Sequence, residues 1–490
     1  MRVVIVGSGV AGSEAGTWLG HRARQPLEIV EIECEPMRRF GGWGFQSFPS
    51  TEKTNLALRK MSLGRDPDEI FRWIDDPEQR ETWPKELQEL SFHADRPIPR
   101  VLIQLYVKWR RSQVRNDLVT YRRVTGEAMR VLLESGPHPI SVTLDNQERI
   151  LADRLIMASG SIAVKIPESL KDLGHHERII IDPLTLEGHE RRKEIPAGAR
   201  VLILGTGLTG EEQANVLLSL GHTNLTILSR NGFRHYAYGQ DQKNAPLTFD
   251  EAPDFLHAET PEEFNHKLSD FYSFFLEKGH SPEDILAALR PFWDDMRAEL
   301  GGCYKAADRL RRFRRTLAVN SIGASFEVAQ NLKEAEALGH LRTMCGVVES
   351  IVEREGAFEV RIHKDGEDED APMVALFDHI INAVGRNIIR HPIWEHLLAD
   401  GIAKKHAGIG IRVSQYGQMM DAQGAASDTM WVVGMARAGD HALRHGYLGN
   451  TAFNVPQVRS HVYDTVDAML EGLSKHPSEP TALPEAHRPQ

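Results

Sequence analysis

The sequence predicts a two-domain α/β protein in which each domain is built on a parallel sheet, and three observations carry that reading. The first is the opening stretch Met1 to Gly16, MRVVIVGSGVAGSEAG, where the apolar run Val3 to Val6 is followed by Gly7, Gly9 and Gly12 in G-x-G-x-x-G spacing. The second is a repeat of that pattern about two hundred residues on: Val201 to Leu204, then Gly205, Gly207 and Gly210, then a helix over Glu211 to Leu220. The third is a repeated strand ending. Leu155 to Met157 runs into Ala158, Ser159 and Gly160, and the segment FDHIINAVGRN at 377–387 repeats this with Ala383, Val384 and Gly385. A short run of apolar residues suits a parallel strand buried on both faces. Two endings of one kind predict two crossings between domains.

Each fingerprint predicts a Rossmann-like dinucleotide site. The first glycine permits a tight turn, the second lets backbone approach a pyrophosphate, and the third lets the following helix pack on the strand with its N-terminal amides aimed at phosphate. After the first fingerprint, Pro26 to Glu31 offers a second strand ending in an acid 24 residues beyond Gly7. A carboxylate there is suited to the hydroxyls of an adenosine ribose, which predicts FAD rather than FMN. The same count from Gly205 reaches Ser229, followed by Arg230. Loss of the carboxylate removes repulsion of a 2′-phosphate and the guanidinium can bind it, so the second nucleotide is predicted to be NADPH.

Length and composition set the outer bounds. A chain of 490 residues exceeds one ordinary hydrophobic core, and 41% hydrophobic with 26% charged residues fits a soluble globular protein. The net charge of −11 argues against unspecific nucleic-acid binding. Cys34, Cys303 and Cys345 are widely spaced with no C-x-x-C pair, which argues against a disulfide-reductase mechanism and a thiolate metal site and fits a reducing cytoplasm. The N-terminus runs straight into the first strand, so no cleaved signal peptide is expected, and no stretch approaches the roughly 18 apolar residues of a membrane span.

Between these anchors the chain predicts two insertions. Gly41, Gly42, Trp43 and Gly44 suit a loop lying close to a large planar ring. Residues 45 to about 118 form the first insertion, with helices over Pro67 to Ile74 and Ile98 to Arg115, expected to cover the reactive ring. Strands follow to Leu155. Residues 231–338 form a second, largely helical insertion with the aromatics Phe271, Tyr272, Phe274 and Phe275, expected in a core, and a basic run from Arg309 to Arg315, expected on a solvated face. The strand Met430 to Gly434 and a long helix after Gly449 should complete the first domain. Asn450 and Thr451 would stand near that helix's cap, and Asp440 is a candidate for a ribityl hydroxyl. The resulting division is a first domain over 1–190 closed by 388–475, a second over 191–387, and a disordered tail over 476–490.

This order of strands, glycines and endings resembles the two-dinucleotide flavoproteins with FAD in the first fold and NADPH in the second, the architecture of single-component flavin monooxygenases. Within them the chain is most similar to the bacterial FAD/NAD(P)-binding family that includes YdhS-like proteins and the flavin enzymes that oxidise an amino-acid amine to a nitro group. The segments carrying this are TNLALRKMSLGRDPDEIFRWI at 54–74, IPRVLIQLY at 98–106, ILSRNGF at 227–233 and RRFRRTLAVNSIGASFEVAQNL at 311–332. The resemblance implies that NADPH reduces the flavin, which then captures oxygen as a C4a-hydroperoxide and oxygenates a small, nitrogen-bearing substrate. It implies no acid-base triad and no metal. Asn55, Arg100, Gln104 and His235 lie in or beside the matching segments and are the candidate substrate contacts. A flavin dehydrogenase or reductase without oxygenation and a redox-sensing nucleotide-binding module remain open as alternatives, as does the oligomeric state, a homodimer among the options.

Overall fold

In the computed structural model the described residues are 1–46, 49–160, 163–230, 236–238, 247–251, 253–257, 261–280, 285, 288–289, 323–363, 372–406, 410–438 and 455–472. The first sheet orders its strands Gln418–Met420, Ala426–Val432, Arg154–Met157, Arg2–Val6, Leu27–Glu33 and Val119–Thr125. The second orders Ile179–Ile180, His379–Asn382, Val201–Leu204, Leu225–Ser229 and Leu341–Cys345. Apart from Gln418–Met420, which runs antiparallel to its neighbour, every pairing in the two sheets is parallel.

The two sheets are one unit used twice. In each, the fingerprint strand sits between the strand that follows its helix and the strand that ends in Ala-x-Gly, and an antiparallel three-stranded meander precedes that last strand. The meanders are Ala128–Leu133, Ile140–Leu144 and Arg149–Ala152 in the first unit and Val347–Arg354, Ala357–His363 and Met373–Phe377 in the second. Registers match atom for atom. Ala158 N donates to Val6 O at 2.8 Å and Ala383 N to Leu204 O at 2.8 Å. At the other strand end, Arg2 N donates to Asp153 at 2.6 Å and Arg200 N to Asp378 at 2.8 Å.

Alternation along Arg2–Val6 explains why this strand is apolar throughout. Val3 and Ile5 pack with the helix Val10–Arg22, whereas Val4 and Val6 pack with the meander. Each fully buried side chain of this size contributes about 1.5–3 kcal/mol. The first insertion packs behind the fingerprint helix. Its helix Arg100–Ser112 sends Arg110 to Glu14 through bonds of 2.7 and 3.0 Å, and Trp73 stacks among Trp83, Tyr106 and Trp109. The closing helix Val455–Glu471 lies on the other flank, where Asp467 accepts from Trp18 at 2.9 Å.

The crossing between units lies earlier than the expected boundary at residue 190. Ala163–Val164 pairs antiparallel with Arg386–Asn387, and Ile179–Ile180 already belongs to the second sheet. Paired crossing strands leave one sheet directly after each Ala-x-Gly ending, so the second unit starts where the first sheet stops. In the second insertion, Phe271 on the helix Pro261–Glu277 packs on Phe249, Phe255 and Phe275 with centroids 5.2, 5.1 and 4.9 Å away. The basic run 309–315 lies outside the described residues.

Candidate nucleotide sites

A cavity of about 330 Å³ opens at the carboxyl ends of the first sheet, from Gly126 and Glu127 past Gly7 and Gly9 to Gly42 and Trp43. This is where open α/β sheets bind ligands. Gly7 takes φ +94°, and a Cβ there would meet the Ala158 carbonyl at 2.5 Å. A Cβ on Gly12 would lie 1.8 Å from the Gly7 carbonyl, so these two glycines are required by the turn and by helix packing. Gly9 and Gly160 also line the cavity.

Of Glu31 and Glu33 on this strand, the one that lines the cavity is Glu33, not Glu31. The expected strand end at Glu31 is corrected by the register: Gly7 N donates to Ile32 O at 2.9 Å, and the strand runs on to Glu33. Glu31 lies on the same face two residues earlier, beneath the helix Val10–Arg22. It is 1% exposed and ion-paired with Arg111 at 2.6 Å. Glu33 lies past the helix start, where Ser8 N donates to it at 3.0 Å, and lines the cavity. Beside it, loss of hydration and the Glu33 carboxylate push the Cys34 thiol up to about 12, which favours the thiol over the thiolate.

Further along the wall, Trp43 lies between two guanidiniums, Arg38 at 3.2 Å and Arg386 at 3.8 Å from its ring centroid. Arg386 is held by Asp182 at 2.8 and 2.9 Å. His391 Nδ1 accepts from Ile393 N at 3.3 Å, so its Nε2 carries the proton and donates to Glu127 at 2.8 Å. Of the first insertion, Phe45 alone among the described residues lines this cavity.

The second fingerprint copies the first. Gly205 has φ +111° and its Cβ would meet the Ala383 carbonyl at 2.5 Å, and a Cβ on Gly210 would lie 2.0 Å from the Gly205 carbonyl. Gly207 differs. Its φ is −73° and no described residue lies within 4 Å of an added Cβ, so packing among the described residues does not require glycine there. Space kept clear at the start of a helix is what a pyrophosphate needs. Gly205 N donates to Leu228 O at 2.8 Å, which makes Ser229 the positional counterpart of Glu33. Thr206 Oγ1 donates to Ser229 Oγ at 2.9 Å where Ser8 bonds Glu33, and Arg230 is exposed at the strand end. Gly385 has φ +94° and its carbonyl accepts from Lys165 N at 2.9 Å.

The remaining candidates scatter. Asn55 lines a separate cavity of about 230 Å³ between the first insertion and the helix Leu208–Ser219. Arg100 is bound to Glu212, and Gln104 donates to the carbonyls of Met37 and Arg39 at 2.9 and 2.8 Å, so it supports the loop after Glu33. His235, Asp440, Asn450 and Thr451 lie outside the described residues. Glu33, Arg38 and Arg386 were missed. The alternating acids of LEIVEIE, Glu31 and Glu33, were the available signal.

The fold and the paired cradles define a protein of two Rossmann-like units, each with its own glycine-rich turn of the dinucleotide-binding kind. The FAD-NAD(P)-binding family model matches residues 4–162. Among solved structures, the chain is similar to the reduced form of ornithine hydroxylase (PvdA) from Pseudomonas aeruginosa, at 15% identity and TM-score 0.58 over 96% of this chain and 99% of that one. It is similar also to the Kutzneria sp. 744 ornithine N-hydroxylase KtzI, at 15% and 0.58 over 96% and 99%. A third is DfoA, the cadaverine monooxygenase of Erwinia amylovora, at 12% and 0.57 over 100% and 98%. Comparison with curated protein sequences finds no match. Among the described residues no helix is long and apolar enough to cross a membrane.

Proposed function

We propose that the chain is an FAD- and NADPH-dependent monooxygenase acting on a small, nitrogen-bearing molecule. The observation that carries this is the duplicated unit with unlike strand ends: Glu33 in the first, Ser229 and Arg230 at the matching place in the second. Glu33, oriented by Ser8, would accept hydroxyl protons of the FAD ribose. Gly7 and Gly9, with the amides that open the helix Val10–Arg22, would hold its pyrophosphate, and Gly42, Trp43 and Gly160 would wall the ring end of the cavity. Asp440, Asn450 and Thr451 are assigned to the same nucleotide on sequence grounds alone. Gly207 leaves room for the second pyrophosphate, and Arg230 would pair with the 2′-phosphate of NADPH. Bound flavin supplies the electron storage and oxygen chemistry that side chains lack. The protein's part is to hold both nucleotides and exclude water.

A nitrogen-bearing substrate is supported by the structural neighbours, named as ornithine, cadaverine and lysine hydroxylases or monooxygenases. Asn55, lining the second cavity, stays as its candidate contact. The finer placement beside YdhS-like and amine-to-nitro enzymes rests on the segments at 54–74 and 98–106. Ornithine, lysine, cadaverine and aspartate should be offered to the FAD-loaded protein with NADPH in air. One of these or a related amine should raise NADPH consumption with matching hydroxylated product. NADPH oxidation that yields hydrogen peroxide alone across a broad amine panel would replace the monooxygenase by a flavin reductase.

A further inference from the structure

Several contacts from the second unit converge on one short stretch of the first. Arg100, at the start of the helix Arg100–Ser112, forks onto Glu212 through two bonds of 2.9 Å. The same guanidinium donates to the Lys53 carbonyl at 3.0 Å and the Gly44 carbonyl at 3.2 Å. Glu212 lies two residues beyond Gly210 on the helix that opens at the second fingerprint, and Gly44 belongs to the short helix Gly42–Phe45 on the wall of the first cavity. One side chain therefore ties the second nucleotide's helix to the first nucleotide's loop. Around it, the Gln46 amide donates to the Leu184 carbonyl, Arg386 stacks on Trp43, and Glu52 pairs with Arg192 at 2.7 Å and His189 at 3.0 Å.

The Arg100 and Glu212 side chains are only 14% and 12% exposed, and a buried ion pair gains little over apolar packing of the same volume because both charges must be desolvated. What an arginine fork provides that apolar packing does not is fixed geometry, with several donors locked at set angles.

We propose that Arg100 is a positioning residue for hydride transfer: its fork fixes the Gly41–Phe45 loop against the second fingerprint helix and so sets the spacing of the two reacting rings. This rests on the two-nucleotide reading above. In the step it serves, a hydride leaves the reduced nicotinamide, which becomes NADP⁺, and enters the flavin ring, which takes one proton from water. Reacting centres misplaced by about 1 Å can lose a factor of a hundred in rate.

Arg100→Lys tests it, since lysine keeps the buried positive charge but cannot reach Glu212, Lys53 and Gly44 together. Flavin reduction by NADPH, followed by rapid anaerobic mixing, should slow by about tenfold or more. FAD content, NADPH affinity and reduction by dithionite should match wild type, while amide hydrogen exchange over residues 41–46 should quicken. Reduction at the wild-type rate, or unchanged exchange over 41–46, would overturn the proposal. Should the lysine variant fail to fold, Glu212→Gln, which keeps volume and one acceptor, carries the same comparison. A wild type that binds FAD but is not reduced by NADPH overturns the two-nucleotide reading itself, a result separable from a defect confined to the variant.

Discussion

Glu31 and Glu33 face the same side of one strand, and their surroundings give them opposite tasks. Glu31 is covered by the fingerprint helix and neutralised by Arg111, which also donates to Thr17 at 3.0 Å, whereas Glu33 stands beyond the helix with Ser8 as its anchor. Glu33→Gln should therefore keep the fold and weaken FAD, by about tenfold for loss of one charge-assisted hydrogen bond. Glu31→Gln should lower the melting temperature, because it leaves the Arg111 charge buried and uncompensated, while the FAD that remains bound binds as in wild type. Flavin titration and thermal denaturation of both variants check the pair. At the second site the matching residue is Ser229, and Arg230→Ala should raise the apparent NADPH constant by roughly one to two orders of magnitude with little change for NADH, since a charge-assisted contact contributes about 1.5–3 kcal/mol. Rising salt should shrink the wild-type preference for NADPH.

At the scale of elements, the fingerprint helix Val10–Arg22 is held through its one buried acid, Glu14. Burial pushes the Glu14 carboxyl upward, and Arg110 beside it pulls the other way. Arg110→Met should cost about 3–5 kcal/mol, and the double change Arg110→Met with Glu14→Met should recover part of it, because it removes the stranded Glu14 charge while Glu69, the second partner of Arg110, remains. Chemical denaturation of the three proteins reads this directly. The glycine turns were legible in the sequence because their requirements are local: Gly7 needs a positive φ, and Gly12 must clear the Gly7 carbonyl. The strand end was not. Whether the strand stops at 31 or 33 is set by the bond from Gly7 N to Ile32 O, a partner 25 residues away, and by where the neighbouring helix begins. The partners of Arg100 and Gln104 were hidden for a related reason. Each is polar and near a matched segment, yet their partners, Glu212 and the carbonyls of Met37 and Arg39, lie 112 and about 66 residues off, beyond any local pattern.

Across the whole molecule, the duplication was legible because both copies keep the same glycines and the same Ala-x-Gly exits, while the joint between them was not, being built from charges distant in sequence. Burial pushes the Glu212 carboxyl up to about 7 from 4.5; Arg100 and Arg192 oppose this and Glu52 adds to it. A carboxyl raised in the folded state contributes stability at low pH that is lost as pH rises through its folded value. The melting temperature of wild type should thus fall relative to Glu212→Gln between about pH 5 and pH 8.

Two nucleotides in two copies of one unit are most directly told from a single nucleotide at Gly207, where no described residue lies within 4 Å of an added Cβ. Wild type and Gly207→Val, both loaded with FAD, should be titrated anaerobically with NADPH while the visible flavin absorbance is followed. The account predicts stoichiometric bleaching of wild type, and in Gly207→Val an unchanged flavin spectrum and melting temperature with no reduction by NADPH. Full reduction of the variant, or loss of its FAD, would contradict the claim that the second fingerprint holds a nucleotide of its own.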